Sequence, residues 1–294
     1  MSTTTTGKPQ IIESAIKEIS HIATLPEITM KVIELVEDSS STAQDLHKLI
    51  SVDPALCSRI LKVVNSSFYG LPGQIGSINR AIVLLGLNAV KNIAVSASLA
   101  KLFRGGQLCP QFSAKDLWNH SVTAAAAAKL ITIELKLGVG DEAFLSGLMH
   151  DIGIMVEMQY QRDKLIEAFN QVGADKEGVP SKNLLEIETE VFGANHQDFG
   201  QGLSKKWKFP AAFANVTGHH HNPLEIADGA RVLPCIVYVA DRLSARSVDG
   251  FRLDLPDTDI DPSVLDAIKL TKDQCESISG KLSEGVADIE AMLA

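Results

Sequence analysis

The chain has 294 residues, of which 45% are hydrophobic and 21% are charged, a balance normal for a soluble protein with a substantial core. Aromatic residues make up only 5%, which favours helices over a β-sandwich or barrel and predicts an all-α fold. The formal net charge of -9 argues against a nucleic-acid-binding surface that extends over the whole chain.

The charge is unevenly distributed. Residues 1–110 contain 10 basic and 8 acidic residues, a net of +2, whereas the remainder contains 17 and 28, a net of -11. An anionic macromolecule would bind residues 1–110 more readily than the acidic remainder of the chain. That segment has no basic stripe with interleaved aromatic residues, so we do not expect nucleic acid as a partner.

The cysteines and the lengths of the apolar stretches indicate the cellular compartment of the protein. Four widely separated cysteines form no CxxC motif, which argues against a zinc ribbon or a dense disulfide framework. The opening MSTTTTGKPQ lacks the apolar core of a signal peptide, and no stretch reaches the roughly 18 apolar residues of a membrane helix. We therefore expect a cytoplasmic protein without a membrane partner, with a disordered tip at residues 1–7.

Apolar residues recur at three- and four-residue steps along the first hundred residues, which predicts five to six short helices. One extends from Pro9 to about His21, and a later one opens at Asp53-Pro54. Ser41 or Thr42 is the expected cap of the helix between them that contains Asp45. Residues 77–103 are apolar on several faces and predict two central helices, interrupted at Gly86.

The segment RGGQLCPQF, residues 104–112, has glycines and a proline but no periodicity, so it predicts a subdomain boundary. An N-terminal helical subdomain would span residues 8–104, a second subdomain residues 113–260, and a tail of undetermined packing residues 261–294. The second subdomain opens with a long alanine-rich helix that should end at Gly138 and Gly140. One helix of about twenty residues should follow, then others at 181–192, 196–206, 210–218 and 229–247.

Histidines concentrate after this boundary. His150 precedes Asp151 on a predicted helix, where neighbouring side chains point about 100° apart and can approach one ion from adjacent sides. Gly147, one turn earlier, would leave room on that face. Such a pair is more often an ordinary helix pair than a metal site. His120 and Asp241 strengthen the metal hypothesis, because imidazole and carboxylate together suit Fe, Mn, Zn or Mg.

Several motifs resemble a known family. His120 in WNHS, His150-Asp151 in GLMHDIG and Asp241 in YVADRL resemble the H, HD, D signature of the HD-domain metal-dependent phosphohydrolases. FGANHQDFG around His196, KKWKFP, HHHNP and VADRL resemble the HDOD family, the HD-related output domain of bacterial signalling proteins. ATLPEITMKVIELV, ISVDPALCSRILKVVNSSFYG and SINRAIVLLGLNAVKNI agree with that family, so the resemblance covers roughly residues 15–250.

The resemblance implies a two-lobed, all-α fold, with a helical N-terminal bundle and a C-terminal HD-like bundle, and a regulatory or scaffolding role more often than catalysis. It also implies one or two divalent ions (Fe, Mn, Zn, Ni or Mg) held by two groups of residues that share Asp151. The first group is His120, His150, Asp151 and Asp241. By similarity to the related HD-GYP phosphodiesterases, the second is His196, His220, His221 and Asp151.

Two departures weigh against hydrolysis of cyclic dinucleotides. Ile154 stands in HDIGI where HD-GYP enzymes carry a lysine, and Asn222-Pro223 follows His221 in place of a GYP-containing loop. The favoured hypothesis is a cytoplasmic signalling protein that acts through protein partners. The alternative is a metal-dependent phosphohydrolase that acts on a nucleotide or phosphodiester, since two cations can polarise a phosphate and lower the pKa of bound water. A phosphorylated small molecule or a nucleotide would then be its ligand.

Two groups of residues keep more than one interpretation. The run His219–His221 belongs either to a metal or anion site or to an exposed loop. Four cations are candidates to orient a substrate, although each is more often a solvated surface charge: Lys129, Lys205, Lys206 and Arg242. The sequence identifies no catalytic residue.

Overall fold

The computed structural model describes residues 7–19, 25–66, 69–71, 73–100, 102–103, 107–176, 178–246 and 251–293. Apart from Gly7, the predicted disordered tip lies outside these residues. Within them the fold is all-α, as predicted, with one short antiparallel hairpin. No helix in these ranges combines the length and apolarity needed to cross a bilayer.

The described residues up to Leu99 form six helices, in agreement with the prediction. They are α1 (Lys8–Glu18), α2 (Glu27–Glu37), α3 (Ala43–Ser51), α4 (Pro54–Val64), α5 (Ile78–Leu85) and α6 (Leu87–Leu99). Thr42 caps α3 through a capping box with Asp45, and the Asp53 side chain accepts a hydrogen bond from the Leu56 amide at the start of α4. Gly86, with φ of 86°, separates α5 from α6.

The aperiodic segment near residue 110 contains the hairpin. Strand β1 (Gln107–Cys109) pairs with β2 (Phe112–Ser113), and the Ser113 side chain then caps the next helix by accepting from the Asp116 amide. One continuous hydrophobic core extends from Ala15 to Leu282 across this segment. The division into subdomains at residues 104 and 113 therefore stays a prediction.

Ten helices follow in the described residues after the hairpin. They are α7 (Ala114–Glu134), α8 (Gly140–Met149), α9 (Ile152–Tyr160), α10 (Arg162–Val172), α11 (Leu184–Phe192), α12 (His196–Lys206), α13 (Ala211–His219), α14 (Val232–Ala245), α15 (Pro262–Ile268) and α16 (Lys272–Leu293). Helix α12 has the predicted bounds, and α10 was not predicted. Gly140 opens α8 and does not end α7.

The prediction of one continuous helix over about twenty residues after Gly140 is wrong. The helix breaks at His150 and Asp151, because Asp151 has a ψ of 14°, outside the α-helical range. Close packing between helices begins just after this break. A Cβ atom on Gly153 would lie 1.8 Å from the carbonyl oxygen of His196, so α9 runs directly against the start of α12.

The expectation that Gly147 leaves room for a ligand is also wrong. A Cβ atom on Gly147 would lie 2.8 Å from the Cα of Ala125 and 2.9 Å from the carbonyl oxygen of Ala124. The backbone of α7 therefore occupies this space. The alanines of α7 are buried and permit this close approach, as their composition suggested.

The described part of the C-terminal tail packs against the body of the protein. Helix α15 buries Val264, Leu265 and Ile268, whereas α16 contacts α7 and α4. Cys275 and Ile278 of α16 are buried. The tail thus contributes to the core through its first turns.

Candidate metal centre

All seven predicted ligand residues converge on one buried cluster. They come from the ends or inner faces of separate elements: His120 from α7, His150 and Asp151 from the turn between α8 and α9, His196 from the start of α12, His220 and His221 from the end of α13, and Asp241 from α14. Six of them have no exposed surface, and the His221 side chain is 7% exposed. The break between α8 and α9 thus lies at the cluster itself.

The first predicted group is compact. His120 Nε2 lies 3.1 Å from Asp241 Oδ1 and 3.2 Å from His150 Nε2. His150 Nε2 in turn lies 3.2 Å from Asp151 Oδ2. One ligand atom from each of His120, His150 and Asp241 lies within 4.8 Å of the other two, a spacing compatible with one metal ion.

The second predicted group lies beside the other oxygen of Asp151. Asp151 Oδ1 is 3.2 Å from His220 Nε2 and 3.8 Å from His196 Nε2. His196 Nε2 is 3.1 Å from His221 Nε2. The two oxygens of Asp151 thus face different groups of histidines.

Outward hydrogen bonds fix the orientation of the imidazole rings. His150 Nδ1 lies 2.7 Å from the Gly147 carbonyl oxygen, and His220 Nδ1 lies 3.2 Å from the Val216 carbonyl oxygen. A carbonyl oxygen only accepts, so each Nδ1 carries the proton and donates. In the neutral tautomer, each Nε2 then directs its lone pair into the cluster.

Side chains orient the rings of His196 and His120 in the same way. His196 Nδ1 donates to the Glu188 carboxylate at 2.8 Å. The Ser244 hydroxyl donates to the His120 carbonyl oxygen at 2.9 Å, so at 3.0 Å it accepts from His120 Nδ1. Such partners commonly hold metal-binding histidines in the ligating tautomer.

The polar atoms of the cluster fit a divalent metal. Both oxygens of Asp151 and of Asp241, and Nε2 of His220, are buried without a hydrogen-bond partner among the described residues. Buried groups of this kind are costly unless they are paired, hydrogen-bonded or bound to metal. The cluster can therefore bind metal.

Two histidines differ in proton affinity. Burial lowers the pKa of His220 to about 4, so its imidazole is neutral at physiological pH. Burial would also lower the pKa of His196, but the Glu188 carboxylate outweighs this effect and raises it to about 9. A metal ion must therefore displace a proton from His196 but none from His220.

Sequence reasoning missed three residues at this cluster, Glu188, Ser244 and Asp254. Ser244 lies three residues after Asp241 on α14, a helical spacing that could have indicated its face. Glu188 stands in an acidic helix with no motif around it. Asp254 Oδ2 lies 3.4 Å from His221 Nε2, and burial, with the charges of Asp151 and Asp241, holds the pKa of Asp254 well above its usual range.

The three consecutive histidines divide between the cluster and the surface. His219 is one-third exposed at its side chain, and its Nδ1 lies 4.0 Å from a Glu225 oxygen. His220 and His221 turn inward, so they do not form an exposed loop. This difference makes His219 a natural control for its neighbours.

Among the cations considered for a substrate, Arg242 lies beside the cluster. Its Nη1 is 3.9 Å from Asp241 Oδ2, and its guanidinium stacks 3.4 Å from the centre of the Tyr238 ring. The side chain is only 10% exposed, so it is not a solvated surface charge. Lys129 instead pairs with Asp141 at 3.2 Å.

Comparison with known proteins identifies relatives of the chain. The family model described as the HDOD domain matches residues 22–223. An uncharacterized protein of Treponema pallidum (strain Nichols) is 25% identical over 274 residues, which are 92% of this chain and 50% of that protein. The chain thus spans about half the length of this curated relative.

Solved structures share the fold. A "Putative signal transduction protein" from Marinobacter aquaeolei VT8 superposes with a TM-score of 0.75 and 20% identity, over 97% of this chain and 65% of that one. A "Putative phosphohydrolase" from Shewanella amazonensis SB2B gives a TM-score of 0.69 and 19% identity, over 96% and 98% of the two chains. At these identities the likeness concerns the fold.

Proposed function

Because the chain belongs to the HDOD family, we propose that it is a cytoplasmic regulatory protein of bacterial signalling, which binds divalent metal at the buried cluster and acts through protein partners. The inward orientation of the histidine Nε2 atoms toward the buried carboxylates of Asp151 and Asp241 carries the metal part of this proposal. The family and the burial of the cluster carry the regulatory part.

The residues divide into two ion positions. His120, His150, Asp241 and Asp151 Oδ2 would hold one ion, and His196, His220, His221 and Asp151 Oδ1 the other. Mixed nitrogen and oxygen donors suit Fe, Mn, Zn or Ni better than Mg. A divalent ion in this setting supplies Lewis-acid character and lowers the pKa of a coordinated water.

Burial favours regulation over turnover. Substrates reach a hydrolytic metal through an open coordination position, yet six of the seven candidate ligands have no exposed surface. Ile154, where HD-GYP enzymes carry a lysine, is also fully buried and apolar. A metal enclosed in this way would join helices and set their relative positions, which suits a protein that presents a surface to a partner.

Elemental analysis of the purified, untagged protein tests the metal site. We expect one to two Fe, Mn, Zn or Ni ions per chain in the wild type. The His150→Ala/Asp151→Ala double variant should lose them, and His220→Ala should lose about half or more. His219→Ala, the matched control, should retain the wild-type content. Wild-type protein that stays free of metal after purification and reloading would refute the proposal.

A metal-dependent phosphohydrolase is the second candidate function, and the position of Asp151 between two groups of histidines favours it. Paired ions that share a carboxylate are common in phosphoester hydrolysis. The test is turnover of bis(p-nitrophenyl) phosphate and of nucleotides by Mn-loaded protein. We expect rates no higher than those of the His150→Ala variant. Robust turnover that this variant loses would establish the second candidate in place of the first.

A further inference from the structure

Asp254 lies beside the cluster on a segment that follows α14, outside the residues matched by the family model. Phe251, Leu253 and Leu255 of this segment are buried. The Phe251 ring packs edge-on against Phe112 at 5.5 Å and lies 5.9 Å from the His120 ring, both measured between ring centres. Apolar packing thus fixes the segment against the centre.

The carboxylate of Asp254 reaches residues of both proposed ion positions. Its Oδ2 lies 3.4 Å from Nε2 of His221, which belongs to the second group. Ligand atoms of Asp254, His221 and Asp241 all lie within 4.8 Å of one another, and Asp241 belongs to the first group. Asp254 therefore resembles Asp151 in its relation to the two groups.

Without a cation, this position is unfavourable for a carboxylate. The Asp254 side chain has no exposed surface, and neither of its oxygens has a hydrogen-bond partner among the described residues. The carboxylates of Asp151 and Asp241 add like charge nearby. A buried charge with no partner is strongly destabilising, whereas coordination to a metal removes the penalty.

We propose that Asp254 is an additional metal ligand that contacts both ion positions and occupies the coordination site where a phosphate or hydroxide would otherwise bind. This inference rests on the metal binding proposed above. Hydrolytic metal sites keep such a position open for water or substrate. A protein carboxylate held there by buried apolar neighbours excludes external anions and keeps the centre in a closed, regulatory form.

The test compares Mn(II)-loaded wild type with Asp254→Ala, using inorganic phosphate as the probe. Metal content is determined first, and phosphate binding is then followed by calorimetry and by the electron paramagnetic resonance spectrum of the bound Mn(II). We expect wild type to show no response to millimolar phosphate. Asp254→Ala should keep at least one ion, bind it about tenfold more weakly, and bind phosphate at least tenfold more tightly than wild type.

Two further variants complete the design. Asp254→Asn keeps the shape of the side chain but removes its charge, so it should weaken metal binding and admit phosphate even if Asp254→Ala folds poorly. Asp257→Asn changes an exposed residue of the same segment and should behave as wild type.

The outcomes separate this inference from the proposed function. If both Asp254 variants bind metal and phosphate as wild type does, Asp254 is not a ligand, although metal binding stands. If wild type already binds phosphate at the metal, the coordination site is open and the inference is wrong. If wild type takes up neither Mn(II) nor Fe, Zn or Ni, the proposed function fails first and this inference fails with it.

Discussion

Glu157 shows how a single buried acid adjusts to its surroundings. The side chain belongs to α9, is fully buried, and neither of its oxygens accepts a hydrogen bond within the described residues. Burial raises the pKa of Glu157 well above 4.5, and the nearby Glu188 carboxylate raises it further. Because Glu188 is already engaged by His196, Glu157 is the member of the pair that keeps a proton.

The raised pKa of Glu157 predicts how the stability of the protein depends on pH. The folded state binds the proton of Glu157 more tightly than the unfolded state, so its stabilising effect is complete below about pH 4.5 and is lost as the pH rises through the raised pKa. Glu157→Gln mimics the protonated acid. In metal-free protein, Glu157→Gln should raise the free energy of unfolding by about 1–3 kcal/mol at pH values above the raised pKa of Glu157. At pH 4.5 it should change this free energy only slightly.

Urea denaturation at several pH values measures this effect. Glu190→Gln changes an exposed carboxylate on α11 and serves as the control, with no more than a small change at any pH. If Glu157→Gln is less stable than wild type at pH values above this raised pKa, the Glu157 carboxylate is ionised and paired at those pH values, which contradicts the prediction.

At the scale of elements, the crossing of α9 and α12 positions both His196 and Asp151. Gly153 makes this crossing possible, since its missing side chain accommodates the His196 carbonyl group. Gly153→Ala should therefore cost about 2–4 kcal/mol of stability and reduce metal content, because α12 must move away from Asp151. Thermal unfolding and elemental analysis measure the two effects.

The same substitution in another helix provides the control. Gly280 is exposed within α16, and no atom lies within 4 Å of the position that a Cβ would take there. Gly280→Ala should therefore stabilise the protein by up to about 1 kcal/mol through helix propensity alone. Equal effects at Gly153 and Gly280 would contradict the close approach of α9 and α12.

Local signals account for the elements that the sequence predicted well. The capping box of Thr42 and Asp45 and the positive φ of Gly86 act within a few residues, so both are visible in the sequence. The break at Asp151 lies two residues before Gly153, which packs closely against the distant helix α12, and this contact cannot be read from the local sequence. Helix periodicity alone therefore predicted one helix where the fold has two.

The candidate site also has a part that the sequence predicts and a part that only the tertiary structure reveals. Its seven predicted residues were found through motifs that resemble a family, whereas their convergence depends on five elements of the tertiary structure. Asp254 lies on a segment without such a motif, and Glu188 is one of several acidic residues on its helix. The roles of Asp254 and Glu188 therefore become visible only from their contacts in the tertiary structure.

At the scale of the whole molecule, the cluster joins helices from distant parts of the chain. His120 and Asp241 are 121 positions apart in the sequence and meet at 3.1 Å, while α7 also supports the C-terminal α16. Metal bound at the cluster would therefore hold these elements together. A ligand that binds only the folded cluster should stabilise the entire described body.

Metal loading should accordingly raise the unfolding temperature. A metal present at about 100 times its dissociation constant stabilises the folded state by about 2.7 kcal/mol, which for a chain of 294 residues corresponds to roughly 4–5 °C. Differential scanning calorimetry of chelator-treated and reloaded protein measures the shift. His219→Ala should show the full increase, whereas His150→Ala/Asp151→Ala should show none. An unchanged unfolding temperature despite metal uptake would mean that the ions bind elsewhere on the chain. Ions at the buried cluster bind only the folded state, so they must raise its stability.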